Sequence, residues 1–500
     1  MPYFDFHIHP TLKSMFTAFP EKTNPWEDID IASINWVVRW CSDFEILLAS
    51  QCNLSQLIDS GTSLACVALF VPERGFFDNE LLKKQAVRTK LRRYLNPQRL
   101  GAMISGELKP YPDLVEEDLM VLFESDNGES QRRVIALNSG SEYDETKTDA
   151  LYVVFTIEGC HTLSSSLNRD SINTSEVLNN LEALRIHYPI LSLNLTHIER
   201  YPFCNHAYGI LFVATDDFMP KAKGIAGQGI EIIKYCYEHE ILIDVKHMSL
   251  WARRQLMQLR LAGEFGQSPP PLVCTHAGFT GINDEALPMY VSVSDNGDNE
   301  SVKISLGKPK KYTDGLNWTT FNPSSINLFD EDIIEILISG GIIGLSLDKR
   351  ILGYTEPDTQ PGNMHELISE IEFVSAQELS LFTDEAIQGD RLEESYCITN
   401  HEVETATNPI GKTPDYHLAH FNSHLLHLMT VAKAHNYSIA DALGQICIGS
   451  DFDGLINPIW CCENVKAMPA FKALFIDSFA DFLVANDSMH LLPDSITVQL

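Results

Sequence analysis

Near its amino terminus the chain reads Met1-Pro2-Tyr3-Phe4-Asp5-Phe6-His7-Ile8-His9-Pro10, a short apolar run that ends in two histidines. Side chains alternate along an extended strand, so His7 and His9 share one side while Ile8 faces the other. Two neutral imidazoles so placed can share one metal ion, and a carboxylate can complete the shell. At the far end of the chain, Ile446-Cys447-Ile448-Gly449-Ser450-Asp451-Phe452-Asp453-Gly454 is a second apolar strand, which delivers two carboxylates into a glycine turn. For Asp451 to join His7 and His9, the first and last strands must be neighbours, as they are when a barrel closes.

Other apolar runs end the same way. Leu151 to Ile157 runs into Glu158-Gly159-Cys160-His161, and Pro189 to Thr196 ends in His197, with Asn205 and His206 a short loop beyond. Ile241 to Val245 leads into Lys246-His247-Met248-Ser249, and Pro271 to Thr275 into His276-Ala277-Gly278. With Leu64 to Phe70 and Gly344 to Leu347 these make eight strands separated by helical segments. That order reads as an α/β chain folded as one (β/α)8 TIM barrel over residues 1–500, whose active site lies at the carboxyl ends of its strands. Taken singly, each histidine has a bland reading as a hydrogen-bonded core or rim residue, and Glu158 or Asp451 could cap the helix that follows. Taken together, imidazoles and carboxylates converging from different strands suit a pair of zinc-like ions, and burying such carboxylates without cations is expensive.

Such a centre implies hydrolysis. Two divalent ions about 3.5 Å apart hold a bridging water as hydroxide and polarise the group attacked. Glu158 is the candidate bridge between them. Asp451 can bind one ion and take the proton of the attacking water, returning it to the leaving group. His197 is placed to steady the oxyanion.

Composition narrows the partners. The 36 Lys and Arg stand against 68 Asp and Glu, a formal charge of −32 that repels nucleic acid and anionic membranes. Eleven cysteines form no CxxC pair, which suits a reducing compartment, and the chain opens directly on a strand with no signal or membrane-crossing run. The expectation is a cytoplasmic enzyme with a small-molecule substrate, binding neither nucleic acid nor membrane; a homo-oligomer is compatible with it.

Between the strands, Ile31 to Leu48, Asn53 to Ser60 and residues 80–99 read as helices, and Pro72-Glu73-Arg74-Gly75-Phe76-Phe77 as a loop that could roof the site. Residues 125–149 are polar and turn-rich, an excursion with little to bury. Residues 283–326 fit no regular unit and are taken as an insertion after strand six; residues 353–414 form another after strand seven. Tyr416 to Ala434 is a long helix carrying His417, His420, His424 and His427 on one face. Because this helix belongs outside the barrel, the stripe reads as packing rather than as a second metal site.

Ile157-Glu158-Gly159, Leu195-Thr196-His197, Asp244-Val245-Lys246-His247-Met248-Ser249, Thr275-His276-Ala277 and Gly449-Ser450-Asp451-Phe452-Asp453-Gly454 resemble, in order, the motifs of the membrane dipeptidase (renal dipeptidase, peptidase M19) family of the amidohydrolase superfamily. The resemblance implies a binuclear zinc barrel that hydrolyses dipeptides. His7 and His9 would bind one zinc, His247 and His276 the other; Glu158 would bridge, Asp451 act as acid/base and His197 contact the substrate. Two features depart from the family. Its first motif is usually His-x-Asp, where this chain has His7-Ile8-His9, making the site one charge more positive. Its arginine before strand seven, which holds the dipeptide carboxylate, is missing from Glu331-Asp332-Ile333-Ile334-Glu335. Lys349 and Arg350 are the cations left to replace it, since strand alternation turns Lys246 away from its neighbour His247. The expectation is therefore that a neutral, amide-capped substrate is processed about as well as a free acid. The alternatives are an amidohydrolase acting on a cyclic amide, ester or carboxylated small molecule, and a catalytically inactive barrel.

Overall fold

A computed structural model describes residues 2–13, 24–28, 49–73, 75, 84–85, 110–125, 127–128, 132–166, 171–209, 216–295, 300–315, 318–354, 369–383 and 414–493. The helix expected over 31–48, most of that over 80–99, and Phe76 and Phe77 lie outside the described residues. The first strands are β1 (Tyr3–Ile8), β2 (Thr62–Leu69), β3 (Arg133–Ala136), β4 (Ala150–Ile157), β5 (Ile190–Asn194), β6 (Leu242–Asp244) and β7 (Leu272–Ala277). There follow β8 (Val291–Asp295), β9 (Ser301–Gly307), β10 (Lys310–Thr313), β11 (Trp318–Thr320), β12 (Ile343–Leu345), β13 (Ser369–Ser375) and β14 (Ile446–Ile448).

Parallel pairings run from β1 to β2, on through β4, β5, β6, β7, β12 and β14, and back to β1, where Asp5 lies opposite Ile448. The ring of eight is the expected (β/α)8 barrel. The intervening helices are α1 (Leu54–Asp59), α2 (Tyr111–Glu124), α3 (Thr174–His187), α4 (Gly227–Glu238), α5 (Leu250–Leu261), α6 (Asp330–Ile338), α7 (Pro414–Ala434), α8 (Ile439–Gly444) and α9 (Met468–Ala485). Alternation along the strands sorts the core into two layers. Val153, Phe155, Ile243 and Val245 face outward and pack with Leu181, Ile232, Leu256 and Ile333 of the helices. Phe6, Cys66, Val273, Leu242 and Cys447 cluster with strand residues only, filling the barrel interior below the site.

Two segments differ from expectation. Residues 125–149 contain β3, a short strand parallel to the first half of β4 and backed by Leu137 and Tyr152. Residues 283–326 are not irregular: β8 and β9 join β13, from the insertion after the seventh barrel strand, in one antiparallel sheet, and β10 pairs with β11. Val302, Ile304 and Leu306 of β9 are buried and alternate with half-buried Lys303 and Ser305, a period-two signal that the flanking polar residues hid. Among the described residues, no helix is long and apolar enough to cross a membrane.

Candidate metal centre

The first and last barrel strands are laced at the site. Asp451 N donates to the His7 carbonyl at 2.9 Å and His9 N to that of Phe452 at 3.0 Å. Buried Asp5 accepts from Ser450 N at 2.9 Å and His7 N at 3.2 Å. Just outside, Lys13 Nζ meets Asp453 Oδ1 at 2.7 Å, and Asp453 also accepts from Gln51 N and Cys52 N. The turn that carries Asp451 is strained: Asp451 has φ +61° and Asp453 φ +66°, conformations that L residues adopt at a cost of order 1 kcal/mol or more. Gly454 is required by close approach, since a Cβ there would fall 2.0 Å from Asp451 Oδ1 and 2.8 Å from His9 Cδ2.

The other contributors sit on neighbouring strand ends. Glu158 follows β4, and Gly159 turns the chain at φ +83° where a Cβ would meet His161 Nδ1 at 2.5 Å. His247 follows β6 at φ +67°. Two residues on, Ser249 caps α5 by accepting from Ala252 N at 3.2 Å. His276 lies within β7.

These side chains converge. Nε2 of His7 and of His9 are 3.1 Å apart, as are those of His247 and His276 at 3.2 Å. Glu158 stands between the two pairs, with Oε1 3.5 Å from His7, 3.2 Å from His247 and 3.6 Å from His276, and Oε2 3.4 Å from His9. Asp451 Oδ1 is 3.4 Å from His9 Nε2, and His197 Nε2 is 3.7 Å from Glu158 Oε1. Three clusters have ligand atoms mutually within 4.8 Å: His7, His9 and Glu158; His7, His276 and Asp451; Glu158, His197 and His247. All seven sequence-singled residues thus meet at one end of the barrel. The grouping is finer than expected, because His197 falls within ligand distance as well as at the mouth.

The donor set fits divalent cations. Imidazole nitrogens this close must either share a proton or face a common cation, and the carboxylates supply charge to offset one. Among the described residues, Nδ1 of His7, His9 and His247 is buried without a hydrogen-bond partner; His276 Nδ1 meets Thr275 Oγ1 at 3.1 Å. Burial, reinforced by the neighbouring His197, Lys246 and His7 charges, holds His247 and His276 well below the ordinary imidazole range, as neutral ligands require. Burial opposes ionisation of Glu158, yet His197 and His7 outweigh it and keep the carboxylate well below its usual range. For His7 burial is likewise overcome, by Glu158 and Asp451, and its pKa is raised.

Sequence reasoning missed Glu73 as part of the site. It follows β2, is wholly buried, and its Oε1 lies 2.5 Å from His197 Nδ1. Oε2 has no partner. The signal available was its position a few residues past a barrel strand, which the aromatic loop reading obscured. Burial works against charge on both groups, but each stabilises the other's ion, raising His197 and lowering Glu73.

Lys246 also departs from expectation. Ile243 and Val245 pack with the helices and Leu242 with strand residues only, so alternation carries Asp244 and Lys246 to the interior side of β6 and its extension. The left-handed backbone of His247 then resets the alternation, so that residue and its lysine neighbour both serve the interior. Arg350 is instead engaged by the Asp348 carboxylate and its side chain is 47 % exposed, while Lys349 Nζ lies 6.0 Å from the Tyr354 ring centroid. The α7 histidines are wholly buried and each holds a different partner: Trp460 N, the Tyr416 carbonyl, Phe279 N with the Leu352 carbonyl, and Asp330. They are a packing stripe.

No family model and no curated protein matches the sequence. Among solved structures, similarity is found to a metallo peptidase from Rhodobacter sphaeroides liganded with a phosphinate mimic of the dipeptide L-Ala-D-Ala, at 14 % identity and TM-score 0.43 over 95 % of this chain and 92 % of that one. A dipeptidase AC, a metallo peptidase of family M19, matches at 14 % and 0.43 over 95 % and 91 %. The probable dipeptidase PvdM from Pseudomonas aeruginosa matches at 14 % and 0.43 over 86 % and 85 %.

Proposed function

We propose that this protein is a metal-dependent hydrolase that cleaves an amide, peptide-like bond in a small substrate. The observation that carries the reading is the meeting of four imidazoles and two carboxylates from five strand ends, with Glu158 between the two imidazole pairs. His7 and His9 would hold one cation and His247 and His276 the other, with Glu158 available to both and Asp451 to the first. The mixed nitrogen and oxygen donors suit zinc. When bound, such ions supply Lewis acidity that activates water and polarises a carbonyl.

The chain's own groups do the rest. Asp451, whose side chain is 17 % exposed, faces the mouth and serves as the proton acceptor and donor. His197, fixed through Nδ1 by Glu73, presents Nε2 to the oxygen that gains charge. The order of the motifs along the chain supports a dipeptidase-like reaction. The nine described cysteines carry no disulfide, which supports a reducing compartment, the cytoplasm in the simplest case.

The test is metal analysis and turnover on one preparation. About two divalent ions per chain and hydrolysis of dipeptides that stops on chelation and returns with zinc are expected. A fully metallated protein inert toward dipeptides and related amides would refute the reading.

A further inference from the structure

Among the described residues, Lys246 is a buried cation with no counter-ion at ion-pair distance. Its residue exposure of 2 % equals that of Glu158, and its ammonium makes one hydrogen bond, to the Ile326 carbonyl at 3.2 Å. Among the described residues no carboxylate oxygen lies within 4.0 Å of it. An ammonium carries three donors, so two remain unspent. Stripping such a group of water without pairing it is costly, and an anionic ligand group that reached it would offset that cost.

Its place is specific. Lys246 immediately precedes His247 and extends from the interior side of β6, above Leu242 and Asp244. Burial pulls the ammonium's pKa below the ordinary lysine value, against the opposing fields of Cys274, Asp451, Asp244 and Glu158, the three carboxylates lying at or just beneath the metal centre. The side chains of Ile326, whose carbonyl receives its hydrogen bond, and of Ile198, the residue after His197, both lie against Gly209. The Ile326 carbonyl is itself fixed, since Arg253 holds the Ser325 and Asn327 carbonyls on either side at 2.7 and 3.0 Å.

We infer that Lys246 receives the carboxylate of the substrate, and that the substrate class is therefore a small amide bearing a free carboxylate near the scissile bond. This deepens the hydrolase reading and rests on it. It assigns the task to a strand-end lysine rather than to an arginine before the seventh strand, and it reverses the expectation that neutral, capped substrates fare as well. A carboxylate that fits between the ammonium and the metal centre gains a charge-assisted bond in a dry pocket, whereas a carboxamide leaves the charge unpaired.

The experiment compares kcat/KM for dipeptides and their matched carboxamides in the zinc-reconstituted wild-type protein, Lys246→Met and Lys246→Arg. The wild type should prefer the free acid by about 10- to 100-fold. The preference should fall to near unity in Lys246→Met and persist largely in Lys246→Arg. A wild-type preference below about 3-fold, or one that survives in a folded, metallated Lys246→Met, overturns the assignment. Calorimetric binding of a free amino acid against its amide needs no turnover and separates the two claims. If no amide is hydrolysed, the proposed function fails; Lys246 then stands or falls on whether the wild type binds the acid about 10-fold more tightly and Lys246→Met does not.

Discussion

Replacing Arg253 with methionine should be among the most damaging changes available outside the metal centre. The guanidinium is 1 % exposed and donates to Asp332 Oδ2 at 2.9 Å and to the carbonyls of Met248, Ser325 and Asn327 at 2.7, 2.7 and 3.0 Å. Methionine keeps much of the volume but strands Asp332 as a buried, uncompensated charge, a change that typically costs about 3–5 kcal/mol. Burial already outweighs Arg253 and holds the Asp332 carboxyl above its usual range. Without the arginine its folded-state pKa rises further above the unfolded value. Stability from that protonated form is fully present below the unfolded pKa and is lost as pH rises, so the penalty should be larger at pH 8 than at pH 5. Urea unfolding at fixed zinc is the assay. Adding Asp332→Asn removes the charge while keeping an acceptor for Phe329 N, which Asp332 now receives at 3.0 Å, and should recover about 2 kcal/mol. A loss below about 1 kcal/mol, or a double variant no more stable than the single, would refute the reasoning.

Four further outcomes are expected. Asp451→Asn should retain most of its metal, measured by elemental analysis, yet lose about 10²- to 10⁴-fold in kcat as proton transfer fails. His247→Ala should lower the metal content to about one ion per chain, since only the His7 and His9 half keeps two imidazoles. Glu73→Gln should cut kcat by about 10- to 100-fold with little change in KM, because the carboxylate that holds His197 Nδ1 is lost; unchanged kinetics would count against the pairing. Burial pushes Glu372 up to about 7 from 4.5, so its contribution to stability is full below pH 4.5 and lost as pH rises through 7. Glu372→Gln should flatten that slope in pH-dependent unfolding and raise stability at pH 8 by about 1–3 kcal/mol.

The barrel was legible because a parallel strand buried on both faces writes itself as a short apolar run, and because polar residues at the ends of such runs are conspicuous. That is why His7, His9, Glu158, His276 and Asp451 could be picked out. Lys246 was misread for a local reason: alternation holds only while the backbone stays extended, and φ +67° at His247 breaks it. Glu73 was hidden because its partner, His197, is 124 residues away in sequence. The insertion sheet was missed because β13 reverses the usual pattern. Its Glu372 is buried on the same face as Val374 while Phe373 is only half-buried, the ring lying 5.1 Å from Tyr208, so an acid shares the inner face and an aromatic stands off it.

That reversal explains what the insertions do for the site. Glu372 receives Ser325 N at 3.1 Å and Ser324 Oγ at 3.3 Å, in the loop whose next residue, Ile326, bonds Lys246. Glu378, just beyond β13, receives Ser249 Oγ at 3.0 Å and Gly224 N at 2.8 Å, and Ser249 lies two residues after His247. Both acids therefore grip backbone or caps one step removed from the metal centre, from a sheet that neither the barrel nor its helices contain. Arg253 grips the same loop from the opposite side through the Ser325 and Asn327 carbonyls. A loop clamped from two sides is a rigid wall, and rigidity is what a buried ammonium with a single carbonyl partner needs if it is to keep its position until an anion arrives. Loosening the Glu372 clamp should therefore weaken discrimination between acid and carboxamide before it affects metal binding, because Glu372 grips only the loop that Lys246 bonds, whereas Arg253 also holds the Met248 carbonyl beside His247.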